Sequence, residues 1–245
     1  MLNSMKDRID KIISLNLNIA RSEAKSLIKN GAVSVNGSVI TDSGEKYDYS
    51  TDCIFVNGKN ISAKKYTYIM LNKPRGVVSA SKDDKTPTVI DILPDKLKRK
   101  NLFPAGRLDK DTTGFCLITD DGDFAHRILS PSNHVKKTYI AEVSEKIDFE
   151  KAAESFKKGV VLSDGTVLLS AELELISDER HQVFKVTVKE GKYHQIKRMF
   201  ASLGTKVVAL KRIAIGGLFL DGTLSEGEAR EISGKELEII TGLNE

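Results

Sequence analysis

Pro104-Ala-Gly-Arg-Leu-Asp-Lys-Asp-Thr-Thr-Gly114 runs directly into Phe115-Cys-Leu-Ile-Thr-Asp-Asp-Gly122. The first half reads as a glycine-flanked turn that carries Asp109 two residues after Arg107. The second half reads as a short apolar strand running into another turn. Outward from it, Tyr66 to Leu71 alternates like a strand, and Asn72-Lys-Pro-Arg-Gly76 is a turn. Thr86 to Pro94 reads as a loop leading into a short apolar helix. Phe149 to Lys158 is helical. Leu173 to Ile176 and Gln182 to Lys189 are strands, and Lys192 to Leu203 is a helix stopped by Gly204. Strands and helices interleave without regular βαβ spacing, which predicts an antiparallel or mixed sheet and an α+β class.

The chain has 245 residues, 40% of them hydrophobic, enough for one large domain or a small one beside a medium one. No run approaches the roughly 18 apolar residues of a membrane span, and the charged start lacks the apolar core of a signal peptide. Cys53 and Cys116 lie far apart with no CxxC pair, so neither a zinc site nor a disulfide framework is expected, and a reducing cytoplasm is. The net charge is +4 and the pI about 8.8: compatible with a nucleic-acid partner, but not a footprint by itself. With no tryptophan, stacking on bases falls to Tyr, Phe, His or Arg. There is no P-loop, no dinucleotide fingerprint and no His-Glu-x-x-His, and the four histidines show no metal-ligand spacing. An ATP, NAD or zinc enzyme is disfavoured; no cofactor and no metal are expected.

Residues 1–61 read as a small module. Met5, Ile9, Ile12 and Ile13 share a helical face. A second helix runs roughly from Ile19 to Asn30, with Asn18 as N-cap and Gly31 as stop. Short strands, Val33–Val35 and Ser38–Ile40, flank the turn Asn36-Gly37. Arg21, Lys25 and Lys29, four residues apart, project away from the apolar stripe, where they could meet successive phosphates. On charge alone they are equally a solvated helix face.

Arg21-Ser-Glu-Ala-Lys-Ser-Leu-Ile-Lys-Asn-Gly-Ala-Val-Ser-Val-Asn-Gly37 resembles the S4 RNA-binding domain. Three further segments, Gly106-Arg-Leu-Asp109, Lys137-Thr-Tyr139 and Glu190-Gly-Lys-Tyr-His-Gln-Ile-Lys197, together resemble the RsuA-type pseudouridine synthases, which isomerise uridine in ribosomal RNA. The resemblance covers nearly the whole chain. It departs at Ala20, where S4 helices often begin with a capping Ser, and at Phe115-Cys116, which replace an aliphatic pair. It implies an S4 domain at 1–61, a linker at 62–65, and a catalytic domain at 66–245 with a mixed, mainly antiparallel sheet flanked by helices.

The same resemblance implies roles. Asp109 is the nucleophile, adding to the base at C6 or to the sugar at C1′; both remain open. Lys197 pairs with it and keeps it ionised, since a basic partner within about 4–6 Å lowers an Asp pKa by roughly 1–3 units. If buried, that pair would cost about 3–5 kcal/mol to break. Tyr139 packs on the flipped uracil, and Arg107 fills the space the base leaves. Taken singly, these residues read as a turn carboxylate, a strand tyrosine and an exposed helix lysine; it is their joint occurrence in family order that carries the reading. His194 and Gln195 read as scaffold, Arg198 is open between RNA and solvent, and Lys96–Lys100 reads as a solvated loop. The expected partner is 16S ribosomal RNA or a partly assembled small subunit, without membrane, for a monomer. The rivals are a 23S uridine, a non-catalytic S4-type RNA binder, and a fragment of an aminoacyl-tRNA synthetase; the last lacks its His-Ile-Gly-His and Lys-Met-Ser-Lys-Ser signatures here.

Overall fold

The computed structural model describes residues 6–242, so Met5 lies outside the described residues. The chain forms two compact units, Met1–Thr67 with Lys98–Leu102, and Tyr68–Leu97 with Phe103–Glu245.

The first unit runs β1 (Lys6–Arg8), α1 (Ile9–Asn16), α2 (Arg21–Lys29), β2 (Val33–Val35), β3 (Ser38–Val39), β4 (Lys46–Asp48), β5 (Ile54–Val56) and β6 (Lys59–Asn60). Ile9, Ile12 and Ile13 are fully buried with Ala24 and Ile28, as the helical spacing predicts. Strands pair in the order β3-β2-β5-β6. Asn36 and Gly37 both take positive φ, as do Asn57 and Gly58, which is what tight two-residue hairpins require. The start of α2 differs from the sequence expectation. Ala20, not Asn18, is the N-cap and offers no side-chain acceptor, while Asn18 sits in the left-handed region of the preceding turn.

Residues 62–65, expected as a linker, are tied into this unit. The Lys64 N–H donates to Asn16 Oδ1 at 2.8 Å, and Ala63 packs on the core. The basic run, expected to be solvated, is also engaged. Arg99 donates to Thr67 Oγ1 and to the carbonyls of Lys64 and Lys65, and Lys100 donates to the carbonyl of Ile19. A guanidinium with five donors suits such a cluster of acceptors better than bulk solvent suits the acceptors.

The second unit runs β7 (Tyr68–Lys73), β8 (Phe103–Pro104), β9 (Thr113–Thr119), α3 (Gly122–Leu129), β10 (Lys137–Val143), α4 (Phe149–Lys158), β11 (Glu172–Asp178), β12 (Gln182–Val188), α5 (Gln195–Ser202), β13 (Val207–Ile215), β14 (Leu218–Phe219), β15 (Ala229–Glu231) and α6 (Gly234–Thr241). Its sheet has nine strands along β11-β12-β10-β13-β9-β7-β15, with β14 on β13 and β8 on β9. Among the described residues the only parallel pair in it is β13 with β9, so the sheet is mixed and mainly antiparallel. One core gathers Phe156, Phe184, Met199 and Phe200 from α4, β12 and α5; another gathers Met70, Phe115, Phe124 and Ile240 from β7, β9, α3 and α6.

The short helix expected within Thr86–Pro94 is absent; Val89 and Leu93 are buried in turns instead. Asp91 Oδ2 accepts both the N–H and the hydroxyl of Thr88, each at 2.8 Å. This closes a turn between two prolines too close together for helix nucleation to be repaid. The helix expected from Lys192 begins only at Gln195, because His194 turns the chain in the left-handed region at φ 49°, ψ 34°. Among the described residues no helix is long and apolar enough to cross a membrane.

Candidate active site

The segment carrying Arg107 and Asp109 has no regular structure, so its shape depends on what holds it. Ser79 holds Leu108, the residue between them, by both backbone groups: its hydroxyl donates to the Leu108 carbonyl at 3.0 Å and accepts the Leu108 N–H at 3.1 Å. Lys73, fully buried at the end of β7, donates its ammonium to the carbonyls of Pro74, Lys110 and Thr112 at 3.0, 3.3 and 2.9 Å. Burial pushes its pKa below the usual lysine value, while the charges of Asp111 and Asp109 act the other way. Gly114 (φ 95°) closes the segment. A Cβ there would lie 2.2 Å from the Arg212 carbonyl, so only glycine lets β9 run this close to β13. Buried Arg212 adds a 2.7 Å hydrogen bond from Nε to the Phe115 carbonyl.

The loop opens into a cleft with about 450 Å³ of empty space, within the range of small-ligand sites. Arg107, Asp109, Tyr139 and Lys197 all line it. Three elements supply them: the loop, β10 and the first turn of α5. Lys197 Nζ lies 3.1 Å from Asp109 Oδ2 and 2.7 Å from Asp111 Oδ1. Burial opposes the charge on Lys197, but hydrogen bonds to Asp111 and Asp109 prevail and raise its pKa. The hydrogen bond from Lys197 in turn holds the Asp111 carboxyl below the usual carboxylate range. The Asp109 and Lys197 side chains are 27% and 24% exposed, so the pair is half open to solvent rather than buried, and a penalty of the buried kind does not apply. Arg107 is exposed, and Tyr139 is half-buried against the α4–β12–α5 core.

His194, read from sequence as scaffold, lines the cleft with Nε2 only 3.4 Å from Asp109 Oδ1. Gln195 does hold structure. Its side chain accepts the Lys192 N–H and donates to buried Glu190, whose carboxylate also accepts the Leu169 N–H. Arg198 pairs with Asp164 at 2.5 Å. Sequence reading missed Ser79 and Lys73. A lysine closing a strand whose last five residues are all buried is the signal that could have flagged the second.

In the first unit, the row on α2 divides. Arg21 Nη2 lies 2.7 Å from Asp10 Oδ1, and the Asp10 side chain is fully buried. Burial works against the Asp10 charge, but the hydrogen bonds from Arg21 and Arg8 win and lower its pKa. Lys25 and Lys29 are exposed and make no ion pair among the described residues.

The family model described as RNA pseudouridylate synthase matches residues 67–202, and that of the S4 domain matches residues 7–50. The chain is 40% identical to the RNA pseudouridine synthase YtzG of Bacillus subtilis, over 95% of this chain and 98% of that one. It is 41% identical to the ribosomal small subunit pseudouridine synthase A of Vibrio cholerae, over 95% of this chain and 99% of that one. Among solved structures, a crystal structure of a pseudouridylate synthase superposes with a TM-score of 0.66 at 37% identity, covering 95% of this chain and 99% of that one.

Proposed function

The chain belongs to the RNA pseudouridylate synthase family, as an RsuA-type enzyme with an S4 domain, and from that premise we propose that it isomerises a uridine of 16S ribosomal RNA with Asp109 as nucleophile. The observation that carries the catalytic part is the single cleft lined by Arg107, Asp109, Tyr139 and Lys197. The small-subunit name of the Vibrio cholerae relative supports 16S over 23S.

The target base leaves its stack, at a cost of a few kcal/mol, and enters the cleft. Asp109 adds to C6 or to C1′, the C1′–N1 bond breaks, the base turns, and C5 joins C1′. The C5 proton then leaves while N1 takes one up, so the product is an isomer and no cofactor is consumed. Lys197 keeps Asp109 ionised until it attacks. Tyr139 presents its ring to the base and helps to remove the C5 proton. Arg107, exposed at the cleft, takes the place of the flipped nucleotide. His194 steadies the other Asp109 oxygen. Lys25 and Lys29 meet RNA phosphates from the S4 domain. The substrate is 16S RNA or a partly assembled small subunit, and the enzyme acts as a monomer in the cytoplasm.

The test is tritium release from [5-³H]uridine-labelled 16S and 23S transcripts, with wild type and Asp109→Asn in parallel. Release from 16S by wild type alone is expected. Release from 23S alone would move the substrate and keep the chemistry. Tight RNA binding without release from either would leave a binding protein.

A further inference from the structure

Tyr193 is the most exposed large apolar or aromatic side chain among the described residues, at 76%. Its ring is nonetheless fixed: it stacks on His194 with centroids 3.8 Å apart and planes 19° apart. The residue beneath it is backbone-strained, since His194 occupies the left-handed region that non-glycine residues rarely adopt. His194 lines the cleft and reaches Asp109, whereas Tyr193 stands outside the lining. The two rings therefore lead from the carboxylate to the rim, with Tyr193 outermost.

We propose that Tyr193 is a base-stacking platform at the rim of the cleft for the unpaired nucleotide flanking the target uridine. The proposal rests on the RNA-modifying reading above. Flipping one base into a cleft strips its neighbour of a stacking partner, and that neighbour needs a new flat surface. An aromatic ring held in place before binding supplies one at low entropic cost, and it tolerates any base because every base has a π face. Tyr139 serves the base inside the cleft and Tyr193 the base outside it. The His194 strain is then the means of presenting the outer ring.

The chain has no tryptophan, so Tyr193→Trp introduces a single reporter at the proposed contact. Its emission is expected to be quenched saturably by a 16S ribosomal RNA transcript. In tritium release, Tyr193→Ala is expected to raise KM by about 5- to 150-fold with a smaller change in kcat, the range that one base–aromatic stack implies. Tyr193→Phe should restore KM, because the ring and not the hydroxyl makes the contact. Unquenched emission at saturating RNA, or an alanine variant with KM within twofold of wild type, overturns the proposal. Wild type that releases no tritium sinks the catalytic reading instead, and the quenching then still decides whether Tyr193 stacks on RNA.

Discussion

Lys197 grips Asp111 by both carboxylate oxygens, at 2.7 and 2.9 Å. Its contact with Asp109 is longer, at 3.1 Å. Asp109 lines the cleft and Asp111 does not, so two carboxylates two residues apart share one ammonium from opposite positions. Asp111 anchors the lysine, leaving Asp109 an ion partner it can give up on attacking. Asp109→Asn is expected to abolish turnover while retaining RNA binding, with less than a tenth of wild-type activity left. Asp111→Asn should lower kcat/KM only about fivefold, the worth of one partly exposed ion pair near 1 kcal/mol. Equal losses in the two variants would refute this division of roles. Lys197→Met should lower turnover by about 100-fold or more, the scale of losing a charge-stabilising group, yet cost about 1 kcal/mol or less in stability.

Lys73 makes the active loop a buried-charge structure. Three carbonyls depend on its ammonium, two of them within Lys110–Thr112. Lys73→Met leaves those acceptors without a donor. A stability loss of about 2–3 kcal/mol is expected, from the worth of hydrogen bonds to a charged group. The urea midpoint should fall with the slope unchanged, and tritium release should drop at saturating RNA. A variant as stable and active as wild type would show that the loop holds itself.

The row on α2 should divide in solution as it does in the structure. Arg21→Ala removes one of two cations from the fully buried Asp10 carboxylate and is expected to destabilise the first unit by about 1–3 kcal/mol. Lys25→Ala and Lys29→Ala touch no partner and should stay within about 0.5 kcal/mol of wild type. They should instead flatten the salt dependence of RNA binding by roughly 0.7–0.9 in log–log slope per lost phosphate contact. Chemical denaturation and RNA titrations at several salt concentrations separate the two effects. A salt slope unchanged in the double lysine variant would remove this helix from recognition.

These contrasts mark where the sequence was legible. Period-based features survive in the fold: the isoleucines of α1, the Asn-Gly hairpins, α4 at Phe149–Lys158, and the mixed sheet. The joint motif also brought Arg107, Asp109, Tyr139 and Lys197 to one cleft. What stayed hidden depends on contacts far apart in the chain. Ser79 reaches Leu108, Lys73 reaches Thr112, and Arg21 reaches Asp10, and no local period encodes such pairings. Boundaries were hidden for the same reason. Lys98–Leu102 belongs with the first unit through the hydrogen bonds of Arg99 and Lys100, whereas its composition reads as a solvated run. His194 escaped because a left-handed histidine has no sequence signature, although that conformation sets both the start of α5 and the contact with Asp109.

Lys137 begins β10, two residues before Tyr139, and is almost wholly buried with only a long hydrogen bond, 3.3 Å, to the Ile128 carbonyl. Burial pushes its pKa down to about 8, and the charge of Arg212 adds to the fall. In the unfolded chain it titrates near 10.5. Below about 8 both states hold the proton, and the native state bears the full cost of the buried charge. Between 8 and 10.5 the unfolded chain keeps a proton that the native protein has shed, so this group makes stability rise with pH across that window. Lys137→Met removes the group and keeps most of the volume. The variant should be more stable than wild type at pH 7, by about 3 kcal/mol at most. That advantage should shrink steadily toward pH 10. Urea unfolding of both proteins at pH 7, 8.5 and 10 measures the difference directly. A difference that does not change with pH would show that Lys137 keeps an ordinary pKa and that its surroundings are more polar than the packing indicates.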